Sequence, residues 1–389
     1  MASDNDREHF EDYRAQTAVK HEILAAYLPA FFHILKGRNE NLVYIDGFAG
    51  RGTYTKAHTG EIVPGSPLRA LELIAGNDDL KQRVSTIFIE SDEKLFPQLE
   101  TEVNKFYQTH TDIRKPTCLQ GTFEEGIAKV LGSVNKLAPT FLFVDPCGVD
   151  GAKFITIKSV MDQGRCEAFI FFNIDGVRRI AGLPDLSPIL IDLMGTEVKA
   201  RAVFDIVHSN VPPEEKERRI LATYKAALKE DMGVQRIITF RVEHEGKKIT
   251  SHYLIHATKS PLGFRIMKDV MWNRGHDEDQ QGSLTFAQSS RTNFIPMFDM
   301  RGDAIKEDVL KALDDGPRIV STFYQTWPEL EDNVYCESAY RAALLQLEAA
   351  GQIEVLSKDG KNVVVSASSR RKGTLAKDFY VRLANKTSA

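Results

Sequence analysis

Three carboxylates stand where short apolar runs stop. Leu42-Val43-Tyr44-Ile45 ends at Asp46 and continues into Gly47-Phe48-Ala49-Gly50-Arg51-Gly52-Thr53-Tyr54. Ile87-Phe88-Ile89 ends at Glu90, and Phe141-Leu142-Phe143-Val144 ends at Asp145-Pro146-Cys147-Gly148. A strand that opens through glycines toward a helix leaves backbone N–H groups unpaired and lets the main chain approach a ligand closely. The loop has neither the G-x-G-x-x-G spacing nor the GK[ST] of a P-loop. Asp46 would repel a pyrophosphate and suits a ligand carrying an ammonium or sulfonium charge. That favours S-adenosyl-L-methionine over a nicotinamide dinucleotide, with a ligand-free βα turn as the plainer alternative. Glu90, at a second strand end, can take both hydroxyls of a ribose; an acid complementing a helix dipole is the other reading. Asp145 points an acceptor into the crevice outside the strand ends, for a substrate amine or the cofactor, or else closes a turn.

The elements that must carry these groups read as strands alternating with helices. Apolar runs end at Asp46, at Glu90, at Gly121 (Thr117–Gln120), at Asp145 and at Asn173 (Ala168–Phe172). Helical patterns lie between them over Ser66–Ile74, Glu93–Tyr107 and Phe123–Leu131. That alternation means βαβ units and a parallel sheet, and little polar alternation within the strands means both faces are covered. A helix over 17–35 precedes the first strand, with Pro29 predicting a kink or a division into two. Residues 180–233 read as a helical insertion, expected to form a substrate-facing lid, and Arg236–Glu243 with Thr250–Thr258 as a terminal β-hairpin. The fold class is therefore α/β, a mostly parallel seven-stranded sheet ending in a hairpin.

A polar stretch over 273–293 separates a second part, so the expected domains are 1–299 and 300–389. The latter reads as three helices (Ile305–Leu313, Val320–Thr326, Glu337–Ala350) and a hairpin of Ile353–Leu356 with Val363–Ser366 about Lys358-Asp359-Gly360-Lys361, a winged-helix pattern. Residues 358–386 hold eight Lys/Arg and two Asp/Glu in a chain whose net charge is −4. Candidate nucleic-acid contacts are Arg341 on the recognition helix, Lys358 and Lys361 on the wing, and Arg370, Arg371 and Lys372 beyond it. A role in docking a protein stays open beside nucleic-acid binding, since Arg341 is the helix's sole base against Glu337 and Glu348.

Composition removes several classes. At 389 residues, 42% hydrophobic and 27% charged, the chain is globular, not fibrous or disordered. No apolar run approaches the roughly 20 residues that span a bilayer, and the acidic start is no secretory signal. Four scattered cysteines with no CxxC pair point to reduced thiols, a cytoplasmic setting and no zinc site. Cys147 could be a nucleophile, with a small turn residue as the plainer reading. His252 and His256 share a strand face, but metal ligation needs partners that are not evident, so hydrogen-bonded histidines are expected. Arg178-Arg179 could meet a phosphate or be a surface pair.

With these motifs in place, DGFAGRGTY, GEIVPGSPLRAL, FIESDEKLF, FLFVDPCG, FNIDG, HYLIHAT and GFRIMKDVMW together resemble the three-Cys-motif partner proteins (TcmP family). Those are bacterial and phage proteins with a Rossmann-like class I methyltransferase fold and an appended winged helix. The resemblance implies S-adenosyl-L-methionine-dependent methyl transfer and a three-Cys-motif, radical-SAM-like partner protein. A more distant resemblance is to 23S rRNA adenine-N6 methyltransferases, whose loop runs D-x-x-A-G-x-G-x-Y. It implies that Asp46, Gly47, Phe48, Ala49, Gly50, Gly52 and Tyr54, with Glu90, Gly121, Thr122 and Asp145, bind the cofactor. It further implies that Asp145-Pro146 begin a catalytic D-P-P-Y, here continued by Cys147-Gly148, and that Lys20 lies over the cleft. Catalytic candidates are thus Asp145, Pro146 and Lys20. The expected function is methyl transfer to nucleic acid, with a non-catalytic binding module of a phage-defence or mobile-element system as the rival.

Overall fold

The computed structural model describes residues 15–36, 41–56, 59–244, 249–274, 277–278, 284–285, 300–325, 335–364 and 375–384. These fall into two compact units that meet in sequence between Val270 and Met271.

In the first unit, α1 (Ala15–Lys36) leads into β1 (Leu42–Asp46). A small hairpin of β2 (Thr53–Thr55) and β3 (Ile62–Pro64) follows, then α2 (Ser66–Ala75), β4 (Val84–Glu90), α3 (Phe96–Thr109), β5 (Thr117–Gln120) and α4 (Phe123–Gly132). Next come β6 (Thr140–Val144), α5 (Phe154–Met161) and β7 (Cys166–Phe172). Four helices, α6 (Ile174–Ala181), α7 (Pro188–Met194), α8 (Glu197–His208) and α9 (Pro213–Met232), precede β8 (Arg236–Glu243), β9 (Thr250–Thr258) and α10 (Pro261–Arg274).

The main sheet has the order β5-β4-β1-β6-β7-β9-β8. Its first five strands are parallel, while β9 runs antiparallel to both β7 and β8. This is the seven-stranded order of Rossmann-like methyltransferases, terminal hairpin included. The direction of winding reverses between β1 and β6, and a crevice opens outside the carboxyl ends of strands at such a point. Asp46, Glu90 and Asp145 all lie there.

Why the strands read so clearly is visible in their burial: every residue of β1, β6 and β7 is buried. One sheet face packs its valines, isoleucines and Phe172 on α4, α5 and α7–α9. The other carries Tyr44, Phe141 and Phe169 toward α1, whose Tyr27 and Phe31 rings lie 5.7 and 5.3 Å from Phe141. Helix α1 is one continuous element with Pro29 inside it, not two. The helices expected as a lid bury Leu190, Met194, Val203, Ile220, Tyr224 and Leu228 in the common core. They form a covering layer of the sheet. Proline starts α7 and α9, at Pro188 and Pro213, where its missing N–H costs nothing.

The second unit contains α11 (Met300–Leu313), β12 (Arg318–Ile319), α12 (Thr322–Gln325), α13 (Glu337–Ala349), β13 (Ile353–Leu356) and β14 (Tyr380–Leu383). Short strands β10 (Asp277–Glu278) and β11 (Leu284–Thr285) pair with each other. Its core joins Ile305, Val309, Phe323, Tyr340, Leu344, Leu347, Val355 and Val381. The helices match the expected winged helix, and the sheet gains a strand that was not expected. β13 pairs in full with β14, in a three-stranded sheet of order β12-β14-β13. On its other side the Lys358–Lys361 turn closes, Val363 bridges Leu356 and Val364 N–H donates to Val355 O at 2.8 Å; residues 365–366 of the expected partner lie outside the described residues. Most of the 273–293 stretch, and Arg370, Arg371 and Lys372, lie outside the described residues.

Candidate active site

The glycine loop is fixed by its own backbone. Gly47 N–H donates to Phe143 O and Ala49 N–H to Ile89 O, both at 2.9 Å, so the loop ties β1 to both flanking strands. Gly50 and Gly52 have φ of 62° and 85°, a region a side chain resists. Gly65 N–H donates to Gly52 O at 2.8 Å and closes the neck of the β2–β3 hairpin. A Cβ on Gly47 would lie 2.7 Å from the Phe123 ring, so this strand end admits only glycine. Phe48 packs on the same Phe123 ring, 5.3 Å between centroids.

Asp46 is fully buried. Its Oδ1 accepts from Phe48 N–H at 3.2 Å, while Oδ2 has no partner. Burial pushes the carboxyl up to about 7, against the pull of the Ser66 hydroxyl and the Phe48 amide. A buried acid with a free oxygen at a crevice is poised to take a cation. Glu90 is 8% exposed. Its Oε2 accepts from Gly50 N–H and its Oε1 from Asp92 N–H, each at 2.7 Å. Each oxygen keeps a second lone pair for a ligand hydroxyl. Burial raises this carboxyl too, with the two backbone donors opposing it. Gly121, at φ 137°, donates from N–H to Glu90 O at 3.1 Å, which brings the end of β5 beside the end of β4. Thr122 caps α4 in a capping box with Glu125.

Lys20 and Asp145 meet across 125 residues of sequence, as an ion pair with each side chain about 10% exposed. The Lys20 ammonium also lies 4.9 Å from the centroid of Phe171. Burial works against its charge, yet the Asp145 carboxylate, with Tyr54 and Cys147 around it, raises its affinity for the proton above the ordinary range. Lys20 is therefore an ammonium and no base. Tyr54 stands beside His21 of α1, ring centroids 5.6 Å apart, its phenol pushed up to about 12 by burial. Cys147 is exposed, and local desolvation together with the Asp145 carboxylate strengthens its thiol's hold on the proton. Pro146 is buried and lines a narrow cleft, no larger than a water molecule, with Val149, Phe172, Asn173, Leu193 and Tyr224.

Sequence reasoning thus placed Asp46, Glu90, Asp145 and Lys20 on one edge, and they meet there. It passed over Ser66 and Phe171. The Gly65-Ser66-Pro67 start of α2 was the available signal for the first, and its place in the apolar run Ala168–Phe172 gave none for the second. His256 is the hydrogen-bonded histidine expected, paired with Glu167 at 2.8 Å. Arg178 is held by Asp175 and Glu217, so that half of the pair does not await a phosphate.

In the second unit two of the six expected nucleic-acid residues, Arg341 and Lys358, engage partners within the unit. Arg341 donates to Glu337, to Leu375 O and to the Tyr324 hydroxyl, tying α13 to α12 and to the chain before β14. Those bonds hold its guanidinium within this unit. Lys358 pairs with Asp378 at 2.5 Å. Lys361 makes no ion pair among the described residues.

The family described as "GMT-like wHTH domain" matches residues 275–360. No curated protein matches the chain. Similar solved structures include a Legionella pneumophila protein of the DUF519 family (12% identity, 68% of this chain and 92% of that one, TM-score 0.40). Others are the plantazolicin methyltransferase BamL in complex with a desmethylPZN analog and SAH (9%, 66% and 90%, 0.33) and precorrin-6y C5,15-methyltransferase from Geobacter metallireducens (12%, 60% and 88%, 0.29). At that distance the class of fold rests on the strand order itself, and the site rests on its own geometry.

Proposed function

We propose that the chain is an S-adenosyl-L-methionine-dependent methyltransferase whose cofactor lies across the carboxyl ends of β4, β1 and β6. The observation that carries this is the free, fully buried Oδ2 of Asp46 beside a glycine loop anchored on Glu90. Asp46 would take the cofactor's ammonium, and Glu90 the ribose hydroxyls. The N–H groups of Gly47 and Ala49 are bonded within the fold, so the loop contributes shape there rather than donors. The bound cofactor supplies an activated methyl group; the chain's task is to hold an acceptor in line with it. Asp145, steadied by Lys20, would orient an acceptor N–H or O–H. Gly148 in place of the stacking aromatic of D-P-P-Y sets this edge apart from adenine-N6 enzymes.

For the acceptor, the winged-helix match and the basic residues beyond the wing support nucleic acid, in an assembly of the TcmP type with a three-Cys-motif partner in the cytoplasm. One observation favours a second reading of that unit. With Arg341 engaged internally, α13 exposes Ser338, Ala342, Gln346 and Ala349, an uncharged face better suited to a protein than to phosphates. Mass analysis of small molecules released from the purified protein tests the cofactor, and transfer of labelled methyl to DNA, RNA or co-expressed protein tests the acceptor. Absence of any adenosyl compound, together with no binding of added adenosylmethionine, would refute the reading.

A further inference from the structure

A second buried polar cluster lies on the α1 face of the sheet, away from the crevice. Glu167 of β7 is 6% exposed, and its Oε2 accepts from the Tyr27 hydroxyl of α1 at 2.5 Å and from His256 Nε2 of β9 at 2.8 Å. Tyr27 and His256 are both fully buried, with their rings edge to face at 4.8 Å. Tyr27 and His256 are the partners of Glu167 among the described residues, so no lysine or arginine neutralises it there. His256 Nδ1 is buried without a partner, which places the ring proton on Nε2 toward the carboxylate. Helix α10 closes over the group at Gly263, where a Cβ would stand 2.5 Å from Glu167 Oε1 and 2.7 Å from the Tyr27 oxygen.

Such a cluster is an expensive way to fill a core. The same face is otherwise packed with Phe31, Phe141 and Phe169, and burying polar groups costs more than burying apolar ones of similar size. Hydrogen bonds bring what phenylalanine contacts lack, a single allowed register.

The geometry says which register matters. Tyr27 and Lys20 are seven residues apart, two turns along one face of α1, or about 10.5 Å. On the sheet, Glu167 pairs with Phe141, and Asp145 lies four residues beyond Phe141, about 13 Å along the strand. Helix α1 is therefore pinned to the sheet at two points, Tyr27 on Glu167 and Lys20 on Asp145, the long lysine side chain taking up the ~2.5 Å by which the two spacings differ. Turning the helix by one residue, about 100°, would carry both side chains off their partners.

We propose that Tyr27, Glu167 and His256 are positioning residues for the crevice: they set the register of α1 and so hold the Lys20 ammonium on Asp145. This rests on the reading of Lys20 and Asp145 as site residues, but its test does not require a cofactor.

The test is the rate at which each lysine of the full-length protein is acetylated under native conditions, resolved by peptide mass analysis. Lys20, buried and paired with Asp145, is expected to react slowly in the wild type. Glu167→Gln is expected to raise its rate about tenfold or more, in line with loss of a hydrogen bond to a charged group, and Tyr27→Phe to raise it several-fold. Exposed Lys105 and Lys153 serve as standards, and Lys268, 6% exposed on α10, reports general loosening. Asp145→Asn should raise Lys20 with the cluster intact. A Lys20 rate within twofold of wild type in a cooperatively melting Glu167→Gln protein overturns the proposal, as does a parallel rise of Lys268. Should that variant not fold, Tyr27→Phe, which removes a single oxygen, decides on the same criteria. Failure of the methyltransferase reading would show separately, as no binding of adenosylhomocysteine with the labelling pattern as expected.

Discussion

The carboxyl edge of the sheet and the winged-helix unit handle charged side chains in opposite ways. At the sheet edge Asp46 keeps an unbonded oxygen under full burial, and Glu90 bonds only to backbone amides. In the second unit Arg341, Lys358 and Arg382 are each matched to a carboxylate of the same unit. Polar groups that a fold leaves open at a cost point to a ligand, whereas groups closed on one another carry no such signal by themselves, the Lys20–Asp145 pair at the sheet edge included. Residue type alone treats Asp46 and Arg341 alike; their partners separate them.

The sharpest way to break this contrast is at Asp145. Asp145→Ala leaves Lys20 a buried ammonium without a partner, and the cost should be about 3 kcal/mol or more in chemical denaturation, the range for half of a buried pair. It should also abolish methyl transfer. A loss below about 1 kcal/mol, the value of a surface pair, would show that the pair is solvated. Next in size, Glu90→Ala should weaken adenosylhomocysteine binding by roughly 1.5–3 kcal/mol, since its remaining lone pairs would meet ribose hydroxyls. Unchanged affinity would leave Glu90 with the glycine loop alone.

A subtler effect is the pH dependence that follows from Asp46. Its folded-state value, about 7, lies above the ordinary 3.8. The ligand-free protein therefore holds a proton that the unfolded chain has released, and this group's contribution favours the folded state at low pH. That contribution declines as pH rises from about 4 and is lost above about 7. Cofactor binding runs the other way, because only the carboxylate attracts an ammonium. Affinity should rise by up to about tenfold per unit below pH 7 and level off above it, and Asp46→Asn should flatten the profile. A flat wild-type profile between pH 6 and 8 would remove Asp46 from the site. Smallest of all, Arg341→Ala should cost about 1 kcal/mol of stability. The salt dependence of any nucleic-acid binding should stay as it is, whereas truncation after Arg370 should shallow the slope by up to about 0.9 per lost phosphate contact. A shallower slope in Arg341→Ala would restore Arg341 as a phosphate contact.

What could be read in advance follows the same division. Strands buried on both faces are continuous apolar runs, so β1, β6, β7 and the buried end of β4, with Asp46, Asp145 and Glu90 after them, were legible without a structure. The β2–β3 hairpin was not: Thr53-Tyr54-Thr55 and Ile62-Val63-Pro64 are too short to show a period. The second partner of β13 went unseen because a nearby turn signal pointed to Val363–Ser366, while β14 lies beyond Gly360 by twenty residues of chain. Lys20 was found only through resemblance, since nothing local links it to an aspartate 125 residues on. The pairing of Arg341 is likewise tertiary.

The central claim is that the crevice holds the adenosyl cofactor on Asp46 and Glu90, and calorimetric titration with adenosylhomocysteine at pH 7.5 tests it most directly. The account predicts saturable binding near one equivalent by the wild type, weakened by Glu90→Ala in a protein that melts like the wild type. No heat of binding from folded wild-type protein, or equal affinity in the variant, would contradict it.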